Sequence, residues 1–476
     1  MLDLLIRAGY AITVDADRRV IRNATIAMQD GSIVGVYDRT DEPESLGPAK
    51  RTIDAPHAVA MPGLVDAHGH AGHGLVRTMA DDLDAWMDAC ARLYLRGATP
   101  EFWYAEARLT AAERLRFGTT TSLSMLGGAG DTIRSDSPDH ALGHVAGVED
   151  IGLRTVVVVG PGGPPYPKET LAHVPGSMPT VVRSSLSDQV STVETLATEL
   201  EEHPHAILAT TFPTLSVEQA RAAGVADAAR ELKALADRRG LGIVQDGHTG
   251  DSVHASSELG LLGRRTLLSH ATDLSDGAID LLAASGTAIA HNPSAIFSQY
   301  GRCPVPELIE AGVLVGLGSD ATAPDRSTDM FRHMFQLTRY HRADRRDPDW
   351  FPPGTAIEMA TIGSASVLGL DAEIGSIEVG KRADIILVDT DRPHLTPFTH
   401  PEHQVVYFAT GADVDTVIVD GEVRLEDGHL VDTDVPAILE DARRQQSLAF
   451  ERVGLEQPPA RPGTWGSVAY RNEPTA

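Results

Sequence analysis

Two histidines, His68 and His70, stand two residues apart directly after a short apolar run that predicts a β-strand. Side chains alternate across a strand, so this spacing points both imidazoles to one side, where they can bind one metal ion. Two histidines on one strand face are also typical of ordinary surface or core positions. The pair alone therefore suggests a metal site without establishing it.

Further metal-binding residue types follow later strands. His248, His270 and Asp320 each come after an apolar run that predicts a β-strand. If these strands form one barrel, their ends converge on one mouth. Imidazoles and a carboxylate suit Zn²⁺ or Fe²⁺, and a bound ion lowers the pKa of water to about 7. Asp320 could instead cap a helix, and His270 could donate to a backbone carbonyl, but the five residues together favour a metal site.

Between residues 58 and 370, strand candidates alternate with helical stretches, which predicts parallel βα units and a (β/α)8 TIM barrel. The strand candidates lie near Ala60, Thr119, Thr155, Ala206, Gly242, Thr266, Thr287 and Leu314. The predicted helices include Pro100 to Phe117, Ser216 to Arg238 and Ser275 to Ala284. Residues 160 to 190 are rich in Pro, Gly and Ser and predict a long loop over the barrel mouth.

The two ends of the chain share another pattern. Residues 1–57 and 371–435 contain short alternating runs separated by turn residues, which predicts one composite β-sandwich. After Pro436 the pattern indicates one amphipathic helix to about Arg452, followed by a tail within residues 436–476. The predicted fold is therefore α/β, a TIM barrel with a small sandwich formed by both termini.

Composition limits the classes of partner. The net charge of -27 over 476 residues argues against nucleic acid and anionic membranes and favours a small-molecule substrate. Cys90 and Cys303 are the two cysteines and lie far apart, which predicts a reducing, cytoplasmic location. Asp3 stands where a signal peptide would carry positive charge, so we expect no leader. A homodimer or higher homo-oligomer is the default expectation for a soluble enzyme.

Several motifs together resemble one known family. They are Pro62-Gly-Leu-Val-Asp-Ala-His-Gly-His, Phe117-Gly-Thr-Thr-Thr, Leu267-Leu-Ser-His-Ala, Ile289-Ala-His-Asn-Pro-Ser, Gly316-Leu-Gly-Ser-Asp with Asp329-Met330, and Gly375-Ser-Ile-Glu-Val-Gly-Lys-Arg-Ala-Asp. The combination closely resembles the amidohydrolase superfamily, and its nearest branch looks like the deaminases and triazine chlorohydrolases. The likeness runs from about residue 2 to residue 430 and implies the same barrel and sandwich.

The resemblance also implies roles for individual residues. It makes four residues the metal ligands: His68, His70, His248 and Asp320. Asp320 would also act as general base, and His270 would lie beside the activated water or help to bind substrate. His291 matches a position that faces the substrate, although a loop or helix-start histidine is an alternative reading.

The chain departs from the family pattern near the fifth strand. Deaminases of this branch carry a proton-shuttling glutamate three residues after the strand-five histidine, where this chain has Asp251. Asp251 is our candidate shuttle, although the adjacent Gly250 favours a loop or helix-cap aspartate. Asp246 stands where many relatives have another histidine. His73 is a candidate substrate contact, and a surface role is an equal alternative. Binuclear relatives bridge two metals with a lysine at the end of a barrel strand. Lys168 lies instead in a Pro-rich segment, which predicts one ion per subunit.

We therefore predict a hydrolase in which one divalent ion, Zn²⁺ before Fe²⁺, activates water to attack a C-N bond of a small nitrogen heterocycle. Deaminase, aminohydrolase or chlorohydrolase-like chemistry is the first choice. Hydrolysis of an amide, urea or (thio)carbamate bond is the alternative. A non-catalytic barrel scaffold is the rival from another class, but such proteins usually lose metal ligands and this chain retains the set.

Overall fold

A computed structural model describes most of the chain. It covers residues 1–44, 46–79, 83–128, 132–174, 176–295, 301–320, 322–323 and 326–455. Within these ranges no helix combines the length and the apolar character that crossing a membrane requires. The described strands form a sheet from the chain ends, a parallel barrel and a small hairpin.

The first sheet joins both ends of the chain. Its strands are β1 (Leu2–Ile12), β2 (Val20–Gln29), β3 (Ser32–Asp38), β4 (Ala49–Pro62), β16 (Ile385–Asp389), β17 (Val414–Val419), β18 (Glu422–Glu426) and β19 (His429–Leu430). Their order is β19-β18-β17-β16-β4-β1-β2-β3, so β16 pairs with β4 and connects the two terminal segments. The sequence predicted this composite unit. Strand β4 runs to Pro62, past the boundary expected at residue 57.

The barrel occupies the middle of the chain. Its strands are β5 (Leu64–Asp66), β6 (His70–Ala71), β7 (Thr119–Leu126), β8 (Arg154–Val159), β11 (Ala206–Thr211), β12 (Gly242–Gln245), β13 (Thr266–Ser269), β14 (Ala288–His291) and β15 (Val315–Leu317). Neighbouring strands pair in parallel from β5 to β15. The ring is closed by a hydrogen bond from Ala67 N to Leu317 O at 3.0 Å. The predicted barrel is therefore confirmed, although its first strand is β5 and not the run near Ala60, which belongs to β4.

Apolar side chains fill the interior of the barrel. Leu123, Val156, Val244 and Leu267 belong to one buried cluster contributed by different strands. Packed side chains leave no open channel in a barrel of this size, so the polar residues at the strand ends meet at one mouth. The interior packing therefore sets the floor of the candidate site.

Helices surround the barrel. They are α1 (Leu83–Arg96), α2 (Pro100–Arg116), α3 (Asp139–Ile151), α4 (Leu186–Glu199), α5 (Val217–Ala220), α6 (Val225–Arg239), α7 (Ser252–Glu258), α8 (Asp276–Ser285), α9 (Val305–Glu310), α10 (Met330–Arg345), α11 (Pro353–Ala360), α12 (Ile362–Val367), α13 (Pro401–Tyr407) and α14 (Val435–Val453). The predicted start of α8 is confirmed, because the Ser275 hydroxyl accepts from Ala278 N. The helix predicted from Ser216 to Arg238 is two helices, because Gly224 adopts a left-handed φ of 84°.

The segment predicted as a long loop, residues 160–190, contains regular structure. Strands β9 (Lys168–Ala172) and β10 (Thr180–Ser184) pair as an antiparallel hairpin, and α4 begins at Leu186. The two short strands were not predicted, because the Pro and Gly residues of this segment favour a loop. The C-terminal helix packs on the barrel, where Arg452 Nη1 donates to Gly97 O at 2.9 Å. The predicted tail beyond residue 455 lies outside the described residues.

Candidate metal centre

His68 and His70 lie side by side at the barrel mouth. The first follows β5 and the second begins β6, and their rings are edge to face with centroids 5.0 Å apart. Gly69 between them permits the close approach of neighbouring chain segments, because a Cβ there would lie 2.8 Å from Arg114 Nη2 and 3.1 Å from Leu123 O. The strand-end spacing therefore places both imidazoles at one site, as the sequence predicted.

A buried carboxylate fixes the end of β5 to the end of β15. Asp66 accepts hydrogen bonds from Ser319 N at 2.8 Å and Ser319 Oγ at 2.6 Å, and Arg114 Nε lies 3.4 Å from it. The backbone of the next strand end is held too, because Asp320 N donates to His68 O at 2.9 Å. These bonds hold the segments that carry His68 and Asp320 in one position.

Burial and hydrogen bonding prepare the histidines as ligands. The Nδ1 atom of His70 lies 2.9 Å from Gly127 O, so it must donate there, which leaves the Nε2 lone pair available. Burial lowers the pKa of His68 to about 4. Burial also lowers the pKa of His70. Both rings are therefore neutral near pH 7, the state in which imidazole binds a metal.

Two carboxylates face these rings. His70 Nε2 lies 3.2 Å from Asp320 Oδ1 and 3.5 Å from Asp246 Oδ2. His68 Nε2 lies 3.1 Å from Asp246 Oδ1 and 3.7 Å from Asp320 Oδ1. All four side chains are less than a tenth exposed. Imidazole and carboxylate donors converge here on a volume that one cation would fill.

His270 completes the wall of the site. Its Nε2 atom lies 3.0 Å from Asp246 Oδ1 and 4.0 Å from Asp320 Oδ2. Both His270 and Asp320 have a left-handed backbone, with φ of 66° and 67°. Such a conformation costs a non-glycine residue about 1–3 kcal/mol and clusters at functional positions. Within the described chain, donor atoms of His68, Asp246, His270 and Asp320 all lie within 4.8 Å of one another. This donor set fits a divalent metal ion.

Within the described chain, His248 and Asp251 lie outside the group of donor atoms that are within 4.8 Å of one another, as His70 does. The role of His248 as a metal ligand stays a prediction. His248 is fully buried beyond β12, and its Nδ1 atom lies 2.9 Å from Ser252 Oγ. Asp251 has an exposed side chain and stands directly before α7. The structure therefore does not bring Asp251 into the buried group, and its role as proton shuttle stays a prediction.

The two predicted substrate contacts, His73 and His291, are both buried. His73 stacks on His70 with centroids 4.9 Å apart, and its Nδ1 atom lies 3.2 Å from the hydroxyl of Tyr94. His291 ends β14, and its ring centroid lies 5.3 Å from that of His341. Their contact with a substrate stays a prediction.

Sequence reasoning missed two groups at this site. Asp246 was noted only as a departure, although it directly follows β12, whose end reaches the barrel mouth. Arg326, whose guanidinium contacts the carboxylate of Asp320, was not singled out. A loop residue of this kind carries no periodic signal, so only the fold reveals it.

Comparisons with known proteins give the site its family context. Residues 59–424 match the model of the amidohydrolase family. The chain is 31% identical to a 5-methylthioadenosine/S-adenosylhomocysteine deaminase of Nitratidesulfovibrio vulgaris, over 95% of this chain and 99% of that protein. It is also 31% identical to a 5'-deoxyadenosine deaminase of Methanosarcina barkeri, over 95% of this chain and 100% of that protein.

Solved structures show the same fold. A zinc-bound adenosine deaminase from Xanthomonas campestris superposes with a TM-score of 0.82 and 26% identity, over 94% of this chain and 99% of that one. The zinc complex of atrazine chlorohydrolase TrzN from Arthrobacter aurescens has a TM-score of 0.74 and 22% identity, over 93% and 100% of the two chains. The chain therefore belongs to the amidohydrolase family and is a metal-dependent hydrolase that acts on carbon-nitrogen bonds other than peptide bonds.

Proposed function

We propose that this protein deaminates the amino-substituted ring of an adenosine-type nucleoside. The observation that carries the proposal is the buried group of imidazoles and carboxylates at the barrel mouth. Full-length similarity to proteins named as deaminases of 5-methylthioadenosine, S-adenosylhomocysteine and 5'-deoxyadenosine supports the choice of ring. The compounds in those names share the adenine ring and differ at the 5' substituent, so we propose that this chain also recognises the adenine ring.

The residues of the site suit this reaction. Deamination adds water to the ring carbon that carries the amino group, and ammonia leaves as the carbonyl forms. We propose that His68, His70, His248 and Asp320 hold a zinc ion, which supplies Lewis acidity and lowers the pKa of the attacking water. Asp320 accepts the proton of that water, and His270, across the site, hydrogen-bonds the developing charge on the substrate. His73 and His291 contact the substrate ring.

Hydrolysis of an amide, urea or carbamate bond is the second candidate. The exposed side chain of Asp251 favours it, because Asp251 is the residue predicted to protonate a ring nitrogen and it does not belong to the buried group at the barrel mouth. Zinc is proposed over iron because the two zinc-bound neighbours share the fold. The homodimer and the cytoplasmic location stay predictions from the sequence.

Product analysis of the zinc-loaded protein tests the proposal. The panel contains adenosine, 5'-deoxyadenosine, S-adenosylhomocysteine, an aminotriazine and an N-acyl amide. We expect one ammonia per ring carbonyl formed from the adenosine-type compounds, with no acyl hydrolysis. Asp320→Asn should abolish turnover, whereas Asp227→Asn, which changes an exposed carboxylate, should not. Release of an acid from the acyl amide without ammonia from any ring would favour the second candidate.

A further inference from the structure

A cavity of about 330 Å³ lies at the beginning of the barrel strands, at the opposite end of the barrel from the candidate metal centre. Its wall combines the beginnings of β11 and β12, the loop before β13, and residues 366–370 at and after the end of α12. The metal centre lies beyond the carboxyl ends of the strands, so the two regions are separate. The volume falls within the range of about 300–1,000 Å³ that is typical of small-molecule sites.

The short strand β12 explains why this space exists. Ala209 on β11 pairs with Gly242, the first residue of β12. Residues 206–208 of β11 therefore extend past the beginning of β12. Gly242 adds no side chain to the gap, and the described atoms nearest to a Cβ built there are Arg265 O at 3.5 Å and Ala209 Cβ at 3.8 Å. A late strand start and a missing side chain thus leave the gap open.

The wall of the cavity is largely apolar. Val156, Val244 and Leu267 come from three different strands and belong to the buried cluster inside the barrel. Val367 and Leu368 also line the cavity and are half-buried. A ligand with an apolar body would remove this surface from water, which is favourable in proportion to the area that it covers.

Two consecutive arginines, Arg264 and Arg265, also line the cavity. Both are exposed, and within the described part of the chain neither forms an ion pair with a carboxylate. This is unusual in a chain with 67 acidic residues and 40 lysines and arginines. The nearby Arg239, for comparison, approaches a carboxylate oxygen of Glu194 at 3.4 Å. The two arginines therefore leave positive charge available for a ligand.

The charged end of Arg265 lies at the cavity wall. A Cβ built on Gly240, another residue of the wall, would lie 3.4 Å from Arg265 Nη1. Gly240 follows α6, so this arginine also lies near the partial negative charge of a helix C-terminus. A guanidinium has five N–H donors, so a contact with the helix end still leaves donors for a bound anion.

We propose that this cavity binds a small anion with an apolar body, of the class of a medium-chain aliphatic carboxylate or phosphate monoester. Arg264 and Arg265 donate charge-assisted hydrogen bonds to the anionic group. The apolar wall covers the aliphatic chain. This second site does not depend on the metal centre or on the proposed deamination.

Calorimetric titration of the full-length, zinc-loaded protein tests the proposal. The probes are octanoate and octyl phosphate, which share a chain and differ in the anionic group. Inorganic phosphate supplies charge without the chain, and octanol supplies the chain without charge. The variants are the double substitution Arg264→Gln with Arg265→Gln, and Gly242→Val, which adds carbon atoms to the cavity wall. Arg230→Gln, on an exposed ion pair of α6, is the matched control, and thermal unfolding shows that each variant folds.

We expect saturable binding of octanoate or octyl phosphate at one site per chain, and the tighter probe identifies the preferred anionic group. Loss of the two charge-assisted contacts should weaken that binding more than about 10-fold, and octanol and inorganic phosphate should bind more weakly by at least this factor. Gly242→Val should weaken it while the charge is unchanged, and Arg230→Gln should leave it unaltered. No saturable binding, or equal binding by the double variant or by Gly242→Val, would overturn the inference.

The location is tested separately, because a carboxylate also coordinates a metal ion. Equal octanoate affinity of the zinc-loaded and metal-free wild type supports a site away from the barrel mouth. Binding that requires zinc, or that is lost in Asp320→Asn but kept in the double arginine variant, would place octanoate at the metal centre and overturn the inference. A wild type that releases no ammonia from adenosine-type compounds contradicts the proposed reaction and leaves this binding test unaffected.

Discussion

The guanidinium of Arg326 contacts the carboxylate of Asp320 inside the barrel mouth, with both side chains at most 5% exposed. Arg326 lies between β15 and α10, so the loop after the last barrel strand brings a positive charge to a proposed ligand. Burial lowers the pKa of Arg326 to about 10, which still leaves it charged at neutral pH. The arginine and a metal ion are therefore two cations that attract one carboxylate.

Replacing Arg326 by glutamine should tighten zinc binding. The substitution removes a positive charge that repels the ion and competes for Asp320, and we expect about a 10-fold gain, equivalent to about 1.4 kcal/mol. Chelator competition measures the affinity, with Arg230→Gln on an exposed ion pair as the matched control. Weaker binding would show that Arg326 mainly orients the Asp320 carboxylate.

Removal of the metal should abolish turnover and lower the melting temperature without unfolding the barrel. The apolar interior and the strand pairing do not depend on the ion. A ligand that binds only the folded state stabilises it by about 2.7 kcal/mol at a free concentration 100 times its Kd. Differential scanning calorimetry of dialysed and zinc-loaded protein measures the shift, with Mg²⁺ as the control ion. Identical melting curves at saturating zinc would contradict a site in the folded barrel.

Substitution of Asp66 by alanine should destabilise the protein strongly. It leaves the guanidinium of Arg114, 2% exposed, without the buried carboxylate beside it, and it removes two hydrogen bonds from Ser319. Breaking a buried pair costs about 3–5 kcal/mol. Urea unfolding of the metal-free protein measures the loss. Asp227→Ala, on the exposed surface, should change the urea midpoint little. Equal effects of the two substitutions would show that Asp66 does not stabilise the contact between the ends of β5 and β15.

Replacing His144 by leucine should weaken the acid sensitivity of folding. Burial lowers the pKa of His144 to about 3 from its usual 6.5, so the folded state keeps it neutral while the unfolded chain binds a proton below pH 6.5. The contribution of neutral His144 to the free energy of unfolding is therefore complete above pH 6.5 and is lost as the pH falls from 6.5 towards 3.

The size of the effect follows from the width of that interval. Between pH 8 and pH 5 the wild type should lose about 2 kcal/mol more unfolding free energy than His144→Leu, at about 1.4 kcal/mol per pH unit below 6.5. Urea titrations at both pH values measure the difference. Parallel losses in the two proteins would show that His144 is already protonated when folded.

The sequence by itself determined the architecture and much of the site. Alternating apolar residues predicted the terminal sheet, and the repeated strand and helix pattern predicted the barrel, because each depends on local periodicity. The i, i+2 spacing of His68 and His70 needed only the strand to place both rings together. His270 and Asp320 were found because each directly follows a strand whose end must reach the same mouth.

Only the tertiary structure showed that the Asp246 carboxylate lies within 3.5 Å of the rings of His68, His70 and His270. Asp246 and His248 both lie beyond the end of β12, and the backbone between them turns at Gly247, whose φ is 80°, so the i, i+2 rule of a strand does not apply to this pair. The position of the His248 ring also depends on a contact that the sequence did not predict, because its Nδ1 atom lies 2.9 Å from Ser252 Oγ. The contact of Arg326 with Asp320 also depends on the tertiary structure. Packing sets the position of a loop residue, and no periodic pattern in the sequence predicts it.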